Sequence, residues 1–446
     1  MNLARAVDVR QITAPQHGRS GARAIVAASV GNLLEWYDFA VYALFAIYIG
    51  ENFFPSRTPG VDLVKAFLVF GVGFVVRPLG AVLIGAYGDR AGRKAALTAT
   101  ILLMAYGTGI IACTPSFTRI GIGAPLLLLT GRLLQGFSAG GEIGGAAAFL
   151  VEHAPARRRG LFAAWLQASM GMSNILGAVV ALSVTSLLTD GQMRSWGWRI
   201  PFLLGLSIAP IGWYLRKTLE ETPQFLAELA RRQESSAHRV PLVAVFRDHR
   251  RPLLLGLGIS ILWAAAVYVL LIFLPVFSQK SLNYAPSTAF SASLVEYVVF
   301  VLGCFAAGAL SDHIGRRRMA AIGAAVLLVG VLPLFRWVDQ SRTMAALIIA
   351  EGALGLMVSS FTGVAPVVLS ALFPTEVRAT GVSLVYNCAI TVFAGFAPAI
   401  LTWLTTTASG SIYAPAWYVS CAAVPALIAI SLTGRLSEAR IAPTPT

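Results

Sequence analysis

The sequence predicts an all-α integral membrane protein, with twelve transmembrane helices in two pseudo-symmetric six-helix bundles. Three observations lead there. The 446-residue chain is 57% hydrophobic and only 12% charged, where soluble domains average roughly 45–50% and about 25%. Uncharged apolar runs of membrane length recur from end to end. A ten-residue polar run appears twice, half a chain length apart. The 34 basic and 20 acidic residues are too few to coat a soluble protein of this size, which excludes a disordered chain, a disulfide scaffold and a soluble enzyme. A net charge of +14 would suggest nucleic-acid binding in a soluble protein. Here the charges fall between apolar runs, where they set orientation in a bilayer, so a lipid bilayer is the expected surrounding and no nucleic-acid partner is expected.

About 20 apolar residues cross a bilayer as a helix. Runs of that kind place the spans at 24–50, 62–88, 95–115, 121–152, 159–188, 198–216, 252–278, 287–311, 319–336, 344–371, 379–405 and 414–434. The uncharged stretch 379–434 is 56 residues long and is broken by Ser409–Pro415, so it holds two helices. Strand alternation is absent, which argues against a β-barrel. With the N-terminus inside, 24 of the 34 basic residues fall on the inside, eight outside and two within spans. The positive-inside rule then puts both termini in the cytoplasm, and the expected location is a bacterial cytoplasmic (inner) membrane. Residues 1–23 are polar, carry Arg5, Arg10, Arg19 and Arg23, and lack the apolar core of a signal peptide, so they read as a cytoplasmic tail. Cys113, Cys304, Cys388 and Cys421 sit in apolar runs without a Cys-x-x-Cys pair and read as small apolar packing residues.

The repeated run is Gly85-Ala-Tyr-Gly-Asp-Arg-Ala-Gly-Arg-Lys94 and Gly308-Ala-Leu-Ser-Asp-His-Ile-Gly-Arg-Arg317, offset by 223 residues. Each copy follows the second span of its half. Arg157-Arg-Arg-Gly160 and Arg378-Ala-Thr-Gly381 form a second echo. The expected organisation is a tail (1–23), a bundle (24–216), a polar cytoplasmic linker (217–251), a second bundle (252–434) and a short tail (435–446). Duplicated bundles of this kind point to a transporter with its site between the halves near the midplane.

The Gly-x-x-x-Asp-Arg-x-Gly-Arg-Lys run resembles the inter-helix loop of the major facilitator superfamily. That resemblance implies the facilitator fold and a charged latch holding the halves together, assigned to Asp89, Arg90 and Arg93, with Asp312 and Arg316 in the second copy and Glu152 as a partner for Arg93. Gly31-Asn-Leu-Leu-Glu-Trp-Tyr-Asp-Phe39, Arg77-Pro-Leu-Gly80, Arg132-Leu-Leu-Gln-Gly-Phe-Ser-Ala-Gly-Gly-Glu142, Trp196-Gly-Trp-Arg-Ile-Pro-Phe202 and Leu219-Glu-Glu-Thr-Pro223 narrow the resemblance to the metabolite–proton symporter group. Members of that group carry citrate and tricarballylate, 2-oxoglutarate, shikimate, or proline and betaine, and the run 121–145 looks most like the citrate and tricarballylate carriers.

An ionisable group inside a span costs at least about 2.5–3.5 kcal/mol on insertion scales, so it marks function or a specific partner. Arg77 lies 12 residues before Asp89 and Arg132 lies 25 before Arg157, which puts both deep in the bilayer. Each is a candidate carboxylate ligand, since guanidinium grips a carboxylate with two parallel hydrogen bonds. The alternative is an ion pair with Glu35, Asp38 or Glu142, or, for Arg77 ahead of Pro78, satisfaction of broken-helix carbonyls. Glu35 and Asp38 are three apart and share a helix face. Two close carboxylates in low dielectric do not both ionise easily, so one is expected to carry a coupling proton. Glu142, among small residues, is a third candidate for that role. Polar residues expected to line the cavity are Tyr42, Gln135, Gln167, Asn174 and Asn387, with Trp263, Tyr268 and Tyr297 as second-half aromatics. Glu296 and Glu351 stand alone in the second half, and Glu351 is discounted as lying near the outer end.

These residues suggest proton-coupled uptake of a small organic anion such as citrate or another di- or tricarboxylate by alternating access, by a protein functional as a monomer and powered by the proton gradient without a cofactor. The alternatives are import of a zwitterionic osmolyte (proline or betaine), of shikimate or of 2-oxoglutarate. A long acidic, heptad-rich tail would favour an osmolyte, and the tail after Gly434 is short. A drug–proton antiporter would carry a Gly-Pro kink in the fifth span, which contains no Pro. An enzyme is not expected: the five histidines (His17, His153, His238, His249, His313) lie in loops or at the cytoplasmic edge, and no phosphate-binding loop is present.

Overall fold

In hydrocarbon every backbone polar group must find its partner within the protein, so apolar segments of this length become helices. A computed structural model describes residues 32–33, 35–91, 93–140, 150, 154–217, 247–374, 377–406 and 410–434, and among them there is no strand. The two tails and nearly all of the linker lie outside the described residues. The helices are α1 (35–53), α2 (61–91, with a turn residue at Val76), α3 (Arg93–Cys113), α4 (Gly123–Ala139), α5 (Arg159–Leu187) and α6 (Ile200–Lys217). They continue with α7 (Arg250–Lys280), α8 (Pro286–Ile314), α9 (Arg316–Ser341), α10 (Met344–Leu372), α11 (Arg378–Thr406) and α12 (Ala414–Leu432). Each expected span overlaps one of these helices, several of which run a few residues past the expected bounds. Eight of the described helices are long and apolar enough to cross a membrane by themselves, and α3 adds a shorter apolar stretch, Thr98–Cys113. Large apolar side chains such as Leu79, Leu102, Tyr106, Leu254, Leu302, Val329 and Trp403 are exposed, an arrangement that suits lipid and not water.

Local chemistry sets the helix ends. Pro286 opens α8 and Pro415 sits in the first turn of α12, positions where a missing N–H costs nothing. The Thr343 hydroxyl accepts from the Ala346 N–H (3.2 Å) and caps α10. Gly315 takes φ +97° between α8 and α9, a conformation open to glycine, which is why the repeated polar run needs a glycine there. Two departures from regular α geometry were not expected: π-helical stretches at Ala266–Phe273 in α7 and Ile390–Ala394 in α11. Such insertions re-aim side chains and often occur at functional sites. The first carries Tyr268 in the protein interior.

Two long seams join the halves, α5 along α8 and α2 along α11. At one end of the α5–α8 seam Gly160 and Gly308 lie backbone to backbone. On the α2–α11 seam the Thr391 hydroxyl donates to the Phe74 carbonyl (3.0 Å). Within the first half, α2 crosses α4 on a stripe of glycines. A Cβ on Gly136 would fall within the Gly73 carbonyl, and one on Gly140 within the Arg77 carbonyl. Small residues at such a crossing allow the backbone approach that holds helices together in lipid, and this crossing delivers Arg77 and Arg132 to the same place.

Gly136→Ala is therefore expected to lower the thermal stability of the detergent-purified protein by the equivalent of about 1–3 kcal/mol, the usual cost of overpacking. Gly191→Ala, at a position with nothing within 4 Å of the new Cβ, is the control expected to leave the melting temperature in place.

Candidate functional site

Both embedded arginines are fully buried (0% exposed), and Glu35 and Asp38 beside them are 5% exposed. The structure gives each acid its own partner. Arg77 Nη2 donates to Glu35 Oε1 at 3.4 Å, a buried ion pair between α2 and α1. Arg77 thus serves α1 and not the carbonyls around Pro78. Asp38 belongs to a chain of hydrogen bonds. Arg132 Nη1 donates to Gln135 Oε1 (2.8 Å), Gln135 Nε2 to Thr108 Oγ1 (2.9 Å), and Thr108 Oγ1 to Asp38 Oδ2 (2.5 Å). Four residues on α4, α3 and α1 so connect a buried cation to a buried acid.

Aromatic rings hold the two cations. The guanidinium carbons of Arg77 and Arg132 lie 4.7 and 4.8 Å from the Phe39 ring centroid. Arg77 also lies 4.6 Å over Phe74, and Arg132 4.3 Å over Tyr42 and 4.8 Å over Phe70. A desolvated cation over an aromatic face gains about 2 kcal/mol, which partly offsets its burial. Hydrogen-bonding capacity is left over. Arg77 Nε and Nη1, Arg132 Nε and Nη2, and Asp38 Oδ1 have no hydrogen-bond partner. Buried polar atoms are normally satisfied, and each exception calls for an explanation; the unused Nε and Nη2 of Arg132 are the two parallel donors of the kind of fork that grips a carboxylate.

The other expected residues divide into those near this centre and those elsewhere. The Tyr42 ring lies beneath Arg132, but its hydroxyl donates to the Ala66 carbonyl (2.9 Å), which commits it to joining α1 and α2. Gln167 and Asn174 are buried on one face of α5, and Gln167 Nε2 and both amide atoms of Asn174 lack partners. Gly171, between them on that face, lies against Phe300 and Val301 of α8, so these amides face the seam. Asn387 donates to the Gly140 carbonyl (3.3 Å), beside the Arg77 backbone, and bridges the halves there. From the second half Tyr268 packs on Trp36 (5.8 Å) and Phe74 (5.3 Å), and Trp263 on Tyr386 (4.6 Å). Glu142 and Glu152 lie outside the described residues. The backbone of Asp89 and Arg90 ends α2 and Arg93 opens α3, while their side chains lie outside what is described. Sequence reasoning missed Thr108, a hydroxyl in an uncharged span with no motif around it, and Phe39, the ring shared by both arginines.

The charged residues of the second copy of the repeated run lie among the described residues. Asp312 pairs with Arg316 (3.2 Å), and its two carboxylate oxygens accept the backbone N–H groups of Gly160 (2.9 Å) and Leu161 (3.1 Å) in the first turn of α5. An acid on a helix N-terminus satisfies free N–H groups and meets the positive end of the helix dipole. Toward the opposite end, Phe45 stacks near Phe290 (6.4 Å) and Phe67 near Phe273 (5.7 Å) across the halves. The arginine centre lies between these two closures.

The sugar (and other) transporter family matches residues 24–240 and 232–433. The chain belongs to that family. Among its relatives, this facilitator is 35% identical to the glycine betaine/proline/ectoine/pipecolic acid transporter OusA of Dickeya dadantii, over 91% of this chain and 82% of that one. It is 34% identical to a proline/betaine transporter of Escherichia coli (95% and 85% of the two chains). It is 33% identical to the citrate-proton symporter of Klebsiella pneumoniae (96% and 95%). Its fold matches the crystal structure of a D-xylose-proton symporter with a TM-score of 0.71 at 19% identity, over 93% of this chain and 97% of that one. The fold is accordingly the twelve-helix facilitator fold.

Two outcomes are expected from this geometry. Arg132→Lys keeps the charge and loses the planar fork, so it should cut solute uptake at least tenfold while membrane insertion stays normal; uptake at unchanged affinity would show that Arg132 is not a ligand. Asp312→Asn should loosen the α5–α8 closure. Spin labels placed across that seam should then report a larger share of long distances, and an unaltered distance distribution would remove Asp312 from the latch.

Proposed function

We propose that this protein is a proton-coupled symporter that imports a small carboxylate-bearing solute by alternating access, and that the solute is a zwitterion of the betaine or proline kind. The observation that carries the reading is the charge balance of the buried centre. It holds two cations and two acids, and Arg77 already serves Glu35 at 3.4 Å. One cation, Arg132, is left to hold one solute carboxylate, and its charge is released for that purpose when Asp38 takes a proton. The second half adds rings beside this centre and no deeply embedded cation: each of its lysines and arginines on a described helix sits within two turns of a helix end. A solute ammonium would meet the faces of Trp36, Phe74 and Tyr268, the setting in which aromatic groups recognise quaternary ammonium. The two betaine and proline relatives named above support this class.

The second reading, uptake of citrate or another di- or tricarboxylate, is favoured by the citrate-proton symporter at 33% identity and by the unused donors on both guanidiniums. In either case Asp38 is the proposed proton carrier, Arg132 the carboxylate ligand, Gln135 and Thr108 the link between them, and Gln167 and Asn174 the adaptable polar contacts. The proton gradient supplies the energy without a cofactor. The proposed setting is the bacterial inner membrane, with both termini cytoplasmic and the monomer as the working unit.

The two solute classes differ in the charge they carry. A zwitterion entering with one proton moves a net positive charge inward, and the membrane potential adds about 2.3 kcal/mol per 100 mV; a di- or trianion entering with as many protons as it has charges moves none. Proteoliposomes with an inward proton gradient should accumulate glycine betaine or proline with an inward current, whereas current-free uptake of citrate alone would favour the second reading. Asp38→Asn should abolish uphill accumulation and preserve exchange at equal pH. If that variant still concentrates solute in response to the gradient, the proton is carried elsewhere.

A further inference from the structure

A second pair of buried acids lies in the half that has no embedded cation. Glu296 on α8 and Glu351 on α10 are 0% and 1% exposed. They share one helix crossing: Gly355, one turn beyond Glu351, lies against the Glu296 backbone, where an added Cβ would come within 3.1 Å of Glu296 Cγ. Glu351 accepts from two hydroxyls, Ser278 on α7 (3.2 Å to Oε1) and Ser293 on α8 (3.0 Å to Oε2). Neither oxygen of Glu296 has a hydrogen-bond partner.

Among the described residues the elements around the pair bring it no positive charge. Tyr297, next on α8, donates its hydroxyl to the Leu271 carbonyl (2.6 Å). Tyr284, ahead of α8, donates to the Thr343 carbonyl (3.2 Å). On α9, Asp339 is engaged by Arg342 and by the Tyr413 hydroxyl (2.7 Å). Lys280 on α7 and Arg336 on α9 are exposed. An unpaired carboxylate anion in such a setting is far costlier than the neutral acid.

A separate observation bears on access to the pair. A narrow, mostly apolar cleft is lined by Leu274, Phe277, Phe335, Asp339, Glu351 and Tyr413. It connects the end of the bundle where α9 meets α10, marked by Asp339 and Tyr413, to Glu351. Glu351 is seven residues into α10 and Glu296 ten into α8, roughly 10 and 15 Å deep at about 1.5 Å per residue. The acids thus step inward from the rim.

We propose that Glu351 and Glu296 form a second proton-binding site, filled through this cleft, in which Glu351 takes a proton on a carboxylate oxygen and passes it to an unpartnered oxygen of Glu296. Released from Glu296 on the opposite side in the other state of the bundle, that proton would add one to each transport cycle beyond the one assigned to Asp38. This rests on the proton-coupled reading above, so the test has two arms. In proteoliposomes, the membrane potential at which net solute flux stops gives the number of protons per solute. Glu296→Gln and Glu351→Gln should each lower that number by one, and an unchanged number in both variants overturns the proposal. Infrared spectroscopy of the purified protein reports protonated carboxyl groups without any transport. A carboxylic-acid band present at neutral pH should be lost in the glutamine variants, and identical bands in wild type and both variants overturn the proposal whether or not any solute is moved.

Discussion

The interior of this protein is organised around two guanidinium groups that a bilayer cannot solvate. Arg77 and Arg132 must each find a counter-charge and a surface, and both find the same surface, the Phe39 ring, at 4.7 and 4.8 Å. The glycine crossing of α2 and α4 brings the two arginines together, α1 supplies the acids and the shared ring, and α3 supplies the hydroxyl between acid and amide. Removing one member of a buried pair typically costs about 3–5 kcal/mol because the other is left uncompensated. The first half is therefore held together by the same groups that are proposed above to bind a charged solute.

The halves divide the work unequally. The first contributes the embedded charges, and the second contributes rings and the Asp312 carboxylate at the seam and, away from it, a carboxylate pair of its own. Two closures flank the arginine centre. One is polar, made by Asp312 on the start of α5, and the other is aromatic, made by Phe45, Phe67, Phe273 and Phe290. An ion–dipole closure and an apolar closure respond to different changes, so loading of charge at the centre can release one while the other holds. Alternating access needs this kind of bistable pair of contacts, each biased by what is bound between them.

Much of the architecture was legible in the sequence because the bilayer imposes it. Helix length follows hydrocarbon thickness, and the duplicated polar run, with Gly315 at its positive-φ turn, marks the same corner in each half. Arg77, Arg132, Glu35 and Asp38 stood out as charges in apolar spans. Their pairing did not. Glu35 and Asp38 share a face, yet one serves Arg77 directly and the other is linked to Arg132 through Thr108 and Gln135, a division set by which helices pack on either side of α1. Glu296 and Glu351, 55 residues apart in the chain, looked solitary because only the α8–α10 crossing brings them together. The π-helical stretch that carries Tyr268 into the interior has no marker in an unbroken apolar run.

The central claim is that carboxylate binding at Arg132 and proton binding at Asp38 are one event. Proton uptake on solute binding to the purified protein in weakly buffered solution measures this directly. The account predicts that glycine betaine, titrated at neutral pH, draws protons from solution in step with its binding, and that Asp38→Asn removes this uptake while binding persists. Solute binding to the wild-type protein with no proton uptake would contradict it.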